Sequence, residues 1–277
     1  DPMNNTIELS NMYELALFPK RNFIATRGEG ALLWDDQDKQ YIDCAGASGS
    51  VNVGHCHARV VRAIQEQAAK LICCTGIFHH ELRSKVCERL ISLAPKNLRK
   101  VFLCNSGTES IEAALKFARI STGRHGFIAT VRGFHGRTLG ALSATHNPKY
   151  REGFEPLVPG FTHVPFNDIA ALSAVVTSET AGVILEIVQG EGGVYLAEAE
   201  YLRQAQALCR ERGAMLIVDE VQTGFCRTGK MFACEHSGLE PDILCLAKSI
   251  AGGVPLGATL CADSVRIHIG SHGTTFG

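Results

Sequence analysis

From Val101 onward the chain alternates short apolar runs lacking polar alternation with stretches whose apolar residues recur at helical spacing. The runs are Val101 to Cys104, Phe127 to Val131, Phe161 to Val164, Gly182 to Val188, Ala214 to Val218, Ile243 to Ala247 and Thr259 to Ala262. Between them the spacing predicts helices over Gly107 to Ile120, Asp168 to Val176 and Glu198 to Arg212, the last closed by Gly213. Strands that are apolar on both sides and separated by helices specify a mostly parallel sheet covered on both faces. The expected class is therefore α/β, a three-layer sandwich. Ligands in such folds sit beyond the carboxyl ends of the strands, so the chemistry is expected there.

Ahead of this region, residues 1–55 read as an N-terminal segment with a hairpin. Its strands are Ala31 to Trp34 and a return through Tyr41 and Ile42, joined by the turn Asp35-Asp36-Gln37-Asp38. Residues 56–277 read as the main domain. It opens with one helix carrying Val60, Val61, Ile64, Ala68 and Leu71, and a second carrying Leu82, Val86, Leu90 and Leu93 before Pro95 stops it. No internal repeat or low-complexity linker interrupts the chain.

Composition narrows the function classes. With 277 residues, 45% of them hydrophobic, the chain can bury a large core. A net charge of -1 argues against nucleic acid or an anionic membrane as partner. No apolar run approaches the roughly 20 residues that cross a bilayer, so a cytoplasmic protein is expected. Met3 is read as a candidate start, preceded by Asp1 and Pro2. The 11 cysteines include no Cys-x-x-Cys and lie mostly in apolar runs, where they act as small hydrophobes. Side chains as close as His55, Cys56 and His57 rarely converge on one ion, so no metal is expected.

Five strand ends carry the candidate chemistry. After Cys104, the loop Asn105-Ser106-Gly107-Thr108-Glu109 opens a helix. Ser106 and Glu109 fit a capping box. The same loop offers free amides, a helix dipole, a glycine and two hydroxyls to a phosphate monoester. It lacks the Lys-Ser/Thr ending of a nucleotide P-loop. After Val131 come Gly133-Phe134-His135-Gly136-Arg137-Thr138, which set an aromatic face and a histidine beside a planar ligand. Arg137 is either a fork for a carboxylate or a surface arginine.

The run Gly182 to Val188 carries Glu186 and delivers Gln189-Gly190-Glu191. Asp219 follows four apolar residues, and a carboxylate there needs a cationic partner or a cap to fill. A protonated pyridine nitrogen at about 4 Å and an effective dielectric near 20 would be attracted by roughly 4 kcal/mol. Finally, Lys248 ends the run Ile243 to Ala247 just before Gly252 and Gly253. An apolar setting lowers an amine's pKa and makes it a better nucleophile toward a carbonyl. A Schiff-base lysine is one reading; a lysine snorkelling out of a strand is the other. A phosphate cradle, an aromatic plate, a carboxylate and a lysine on separate strand ends are together what pyridoxal 5'-phosphate (PLP) requires.

The chain resembles the class III aminotransferases of the fold type I PLP family. The resemblance rests on Asn105-Ser-Gly-Thr-Glu109, Gly133-Phe-His-Gly-Arg-Thr138, Gln189-Gly-Glu-Gly-Gly193, Asp219-Glu-Val-Gln-Thr-Gly-Phe225, Leu246-Ala-Lys248 and His272-Gly-Thr-Thr-Phe276. Within the class it is most similar to the acetylornithine aminotransferases and those of carrier-linked lysine biosynthesis, chiefly through Phe134 to Pro159.

The resemblance implies that Lys248 holds the cofactor and shuttles the substrate proton, while Asp219 pairs with the ring nitrogen. It implies phosphate contacts from Ser106, Gly107 and Thr108, joined by Thr275 of a second subunit in a homodimer. Phe134 would stack on the ring beside His135, Val221 would pack the other face, and Gln222 would contact the ring hydroxyl. Arg137 would bind a substrate carboxylate, and Glu191 would gate a second arginine. The implied reaction moves the ω-amino group of N-acetylornithine, or of carrier-linked lysine or ornithine, to 2-oxoglutarate, giving glutamate. Ornithine or 4-aminobutyrate transamination, or an inactive fragment of such an enzyme, are the alternatives. Two positions depart from the family: Ile187 in place of a proline, and Cys226 in place of a glycine. Family members continue past Thr-Thr-Phe-Gly into a carboxy-terminal small domain, expected to be missing here.

Overall fold

A computed structural model of the chain describes residues 5–276. Its backbone contacts separate two units, Asp1–Ile72 and Cys73–Gly277. The first holds a helix, Thr6–Tyr13, and an antiparallel sheet of β1 (Ala25–Glu29), β2 (Leu32–Asp35) and β3 (Gln40–Ile42). The expected hairpin is β2 and β3, with Leu32 opposite Ile42. Asp35 holds its turn, accepting hydrogen bonds from the amides of Gln37 and Lys39 at 2.9 Å and from the Tyr41 hydroxyl at 2.8 Å. The outer strand β1 carries Arg27, whose guanidinium lies 3.6 Å from the centre of the Trp34 ring. The helix Ala58–Ala68 falls in this first unit.

The second unit is built on a seven-stranded sheet. Its strands are β4 (Leu98–Cys104), β5 (Gly126–Thr130), β6 (Phe161–Val164), β7 (Thr180–Glu186), β10 (Met215–Asp219), β11 (Ile243–Leu246) and β12 (Gly257–Ala262). A two-residue ribbon, β8 (Val188–Gln189) with β9 (Tyr195–Leu196), stands apart. The spatial order is β4-β12-β11-β10-β7-β5-β6. Strands β6, β5, β7, β10 and β11 pair in parallel, and β12 runs antiparallel to both β11 and β4. The apolar run expected from Gly182 to Val188 breaks at Ile187, so its last residue belongs to the ribbon.

Alternating residues along the strands feed two cores. Leu216 and Val218 join Leu90, Leu172, Leu202 and Ala205 from the helices Glu81–Leu93, Ile169–Val175 and Ala199–Arg212. Met215 and Ile217 join Ile111, Ala114 and Phe117 of the helix Gly107–Thr122, and Ala141 and Ala144 of the helix Leu139–Ala144. Helices thus cover both faces of a mostly parallel sheet, the expected three-layer α/β sandwich. Burying both sides is what made the strands read as continuous apolar runs.

Candidate active site at the strand ends

The carboxyl ends of β4, β5, β7, β10 and β11 lie along one edge of the sheet, and the candidate residues follow from them. Asp219 closes β10 and lies opposite Glu186, which closes β7, in parallel register. Asp219 is only 5% exposed. Its Oδ1 accepts the Val221 amide at 3.0 Å, and its Oδ2 lies 2.8 Å from Nδ1 of the fully buried His135. Burial presses the imidazole pKa down, but the hydrogen bond to Asp219 and the charges of Asp219 and Glu186 outweigh it and raise the value. His135 therefore acts as donor to Asp219, fixing the carboxylate's direction. Its Nε2 is buried without a hydrogen-bond partner among the described residues.

Glu186 turns its two oxygens to the amides of Phe134 at 3.0 Å and Gly190 at 3.3 Å. One carboxyl thereby ties the aromatic loop to the loop carrying Glu191. Burial pushes the Glu186 carboxyl up to about 7; nearby Asp219 adds to the rise, while His135 opposes it.

Lys248 follows the buried Ala247 at the end of β11, with φ 47, in the left-handed region that disfavours a side chain. Such strain persists only where the surroundings hold it. Its amine donates to Oε1 of Gln222, three residues beyond Asp219. Burial lowers the amine's pKa from its usual value, against the opposing charges of Asp219, Glu186 and Glu191.

The loop after β4 opens the 16-residue helix Gly107–Thr122. Ser106 caps it, its hydroxyl accepting the Glu109 amide at 3.2 Å. The return bond of the expected capping box goes one residue earlier, from the Asn105 amide to Glu109 Oε2 at 2.7 Å. The amides of Gly107 and Thr108 lie in the first turn, where a helix provides no acceptor of its own. A Cβ on Gly107 would sit 2.8 Å from Val221 Cγ1, and one on Gly136 would sit 2.4 Å from Thr108 Oγ1. Both glycines are therefore required for the loops to approach. Thr108 and Thr138 join through their hydroxyls at 2.8 Å, and Glu112 Oε1 accepts the Ala141 amide at 3.0 Å.

Four side chains form an outer rim. The Phe134 and Tyr150 rings meet edge to face at 5.6 Å, the Arg137 guanidinium lies 4.6 Å from the centre of the Tyr150 ring, and the Tyr150 hydroxyl donates to Glu191 Oε1 at 2.5 Å. Tyr150 was not singled out in the sequence. It sits on the four-residue turn Pro148–Arg151, too short to show a periodic signal. Thr275 stands apart: it is exposed, and among the described residues no hydrogen bond ties it to Lys248, Asp219 or Gly107.

PLP fits this arrangement. The first-turn amides of a long helix face a cradle from which two glycines exclude side chains, Asp219 is a buried carboxylate already oriented by His135, and Lys248 presents an amine of lowered pKa. Among the described residues no group of three His, Cys, Asp or Glu is placed to hold a metal ion, and no helix is long and apolar enough to cross a membrane.

Fold and site together define a PLP-dependent transferase of fold type I. Residues 18–277 match the class-III aminotransferases, and the chain belongs to that family. It is 50% identical over 273 residues to the acetylornithine aminotransferase of Methanopyrus kandleri, covering 98% of this chain and 70% of that protein. It is 49% identical over 269 residues to the LysW-aminoadipate semialdehyde transaminase of Deinococcus radiodurans, covering 96% and 63%. The ornithine aminotransferase of Toxoplasma gondii, whose structure has partial occupancy of PLP at the active site, superposes with a TM-score of 0.92 at 32% identity. That match covers 99% of this chain and 67% of the other. The chain thus spans between 63% and 70% of the length of these proteins.

Proposed function

We propose that the protein transfers the ω-amino group of N-acetylornithine, or of a carrier-linked lysine or ornithine, to 2-oxoglutarate, giving a semialdehyde and glutamate. The names of these two relatives, in Methanopyrus kandleri and Deinococcus radiodurans, support the donor class. The observation that carries the reaction type is Lys248, whose half-buried amine of lowered pKa is held by Gln222 at the end of the strand next to Asp219. The likeness to an ornithine aminotransferase favours ornithine as the second donor to test.

PLP, when bound, supplies a ring that withdraws the electron pair left when a proton departs from the substrate carbon. The residues of this chain do the rest. Lys248, an amine of lowered pKa, would hold the cofactor and move the proton at the substrate carbon. Asp219, oriented by His135, would pair with a protonated ring nitrogen. Ser106, Gly107 and Thr108 would hold the phosphate, Phe134 and Val221 would flank the ring, and Gln222 would meet the ring hydroxyl. Arg137 would bind a substrate carboxylate, Glu191 would gate a second arginine, and Thr275 would complete the phosphate site of a partner subunit in a homodimer.

Incubation with PLP, borohydride reduction and peptide mass spectrometry are expected to place a pyridoxyl group on Lys248. N-acetylornithine with 2-oxoglutarate is expected to yield glutamate, and Lys248→Ala to lose both signals. Label elsewhere, or normal turnover in that variant, would overturn the assignment. Faster glutamate formation from ornithine would move the donor to the second reading.

A further inference from the structure

Tyr150 stands between the two rim residues of opposite charge. Its hydroxyl donates to Glu191 Oε1 at 2.5 Å, the length of a charge-assisted O–H···O⁻ bond. Its ring face lies under the Arg137 guanidinium at 4.6 Å, a cation–π contact, and its edge meets Phe134 at 5.6 Å. The bond to Glu191 leads the causes that raise the phenol's pKa, with burial and the Glu191 charge adding to it and Arg137 opposing. Among the described residues Arg137 forms no ion pair within 4.0 Å, although Glu191 is bonded to the far end of the ring that Arg137 covers.

A guanidinium and a carboxylate sharing one phenol ring would ordinarily close on each other in a forked pair. Here a third group occupies each of them. The ring holds the guanidinium over its face, and the hydroxyl holds the carboxylate at its tip. The anion that Arg137 would otherwise bind is restrained, which leaves its fork for an anion arriving from solution.

We propose that Tyr150 is a positioning residue that latches Glu191 away from Arg137 and so keeps Arg137 open to the carboxylate of a dicarboxylate substrate. The proposal rests on the reading of Arg137 as the substrate-carboxylate site, and it adds a residue that controls access to that site. Tyr150 need not touch the substrate, because it acts through Glu191. Released, Glu191 becomes an internal competitor, so losing the latch weakens substrate binding without altering the groups around Lys248.

The test is a double-mutant cycle on the PLP-loaded protein, using Tyr150→Phe, Glu191→Gln and the pair. Phenylalanine keeps the ring under Arg137 and against Phe134 and removes only the hydroxyl. The first readout is calorimetric binding of glutarate, a dicarboxylate with no amino or keto group to react. The second is the split of KM for 2-oxoglutarate from kcat. Tyr150→Phe is expected to weaken glutarate binding and raise KM roughly tenfold, the low end for a hydrogen bond to a charged group, with kcat within about twofold. In the Glu191→Gln background the same substitution is expected to change neither, since no competing anion remains.

An equal loss in both backgrounds, or no loss in either, would overturn the latch, as would wild-type protein that does not bind glutarate. Failure of the proposed function reads differently: the wild type would bind glutarate with the expected coupling and form no glutamate from any ω-amino donor.

Discussion

Gly136 is where the aromatic loop and the phosphate loop touch, and Gly136→Ala measures how tightly they are joined. A Cβ there would lie 2.4 Å from Thr108 Oγ1, 2.8 Å from Thr108 Cβ and 3.0 Å from Ala141 Cβ, with φ at +136. The backbone part of the cost is about 1–3 kcal/mol, for a side chain in a region that essentially only glycine occupies. Forcing a methyl into a packed site adds about 1–3 kcal/mol. Gly123 provides the control. It closes the helix Gly107–Thr122 with φ +69 and has nothing within 4 Å of its Cβ position, so Gly123→Ala carries the backbone part alone, about 1 kcal/mol. Urea denaturation without cofactor is expected to show a loss of about 2–6 kcal/mol for Gly136→Ala.

At about 2–4 °C per kcal/mol for a unit near 200 residues, the melting temperature falls on the order of 10 °C. Because the displaced atom is the Thr108 hydroxyl, PLP affinity, read from cofactor absorbance during titration, is expected to fall only in Gly136→Ala. Equal destabilisation of the two variants, or unchanged PLP affinity in Gly136→Ala, would refute the claim that the loops are in forced contact.

Three further outcomes follow from the same geometry. Glu186 rises from an ordinary value of 4.5 to about 7 in the folded chain, so its contribution to stability is fully present below pH 4.5 and is lost as pH rises through about 7; Glu186→Gln is expected to flatten the stability of the cofactor-free protein between pH 5 and 8, and parallel curves would refute this. Cys226 is exposed with φ +68, a region that favours glycine, and Cys226→Gly is expected to raise stability by about 0.5–1 kcal/mol, measured as a shift in urea midpoint, whereas no gain would show the strain relieved elsewhere. Arg137→Ala is expected to raise KM for 2-oxoglutarate while leaving PLP affinity within about twofold; an unchanged KM removes Arg137 from substrate recognition.

The parts of the fold that were legible are those with a buried signal. The interior strands are apolar on both sides, and the ends of those runs mark Lys248, Asp219 and the Ser106 to Thr108 loop in the sequence itself. Strand β1 was not legible: Ala25–Glu29 is largely exposed and carries no apolar pattern. The direction of β12 was missed for another reason. Direction does not show in an apolar run, although the short connection from Leu246 to Gly257 was a usable sign, since parallel crossovers need about a dozen residues or more. At the site, residue types announced chemistry but not partners. His135 read as a neighbour of the cofactor, and the structure bonds it to Asp219. Glu186 read as one more strand residue, and it anchors two loops 52 and 4 residues away in sequence. Tyr150 gave no signal, because its role lies in contacts made across the loops.

The placement of β12 has a consequence for how the protein is made. Among the described strands, β4 pairs only with β12, and β12 is the last to emerge during synthesis. The segment Leu98–Cys104 must therefore wait, with one polar backbone edge after another exposed, while more than half of the chain is translated behind it. Until Gly257–Ala262 slides between β11 and β4, the phosphate loop that follows Cys104 has no fixed floor. Nascent chains stalled before Gly257 would present β4 as an unpaired strand, open to chaperones or to other strand edges.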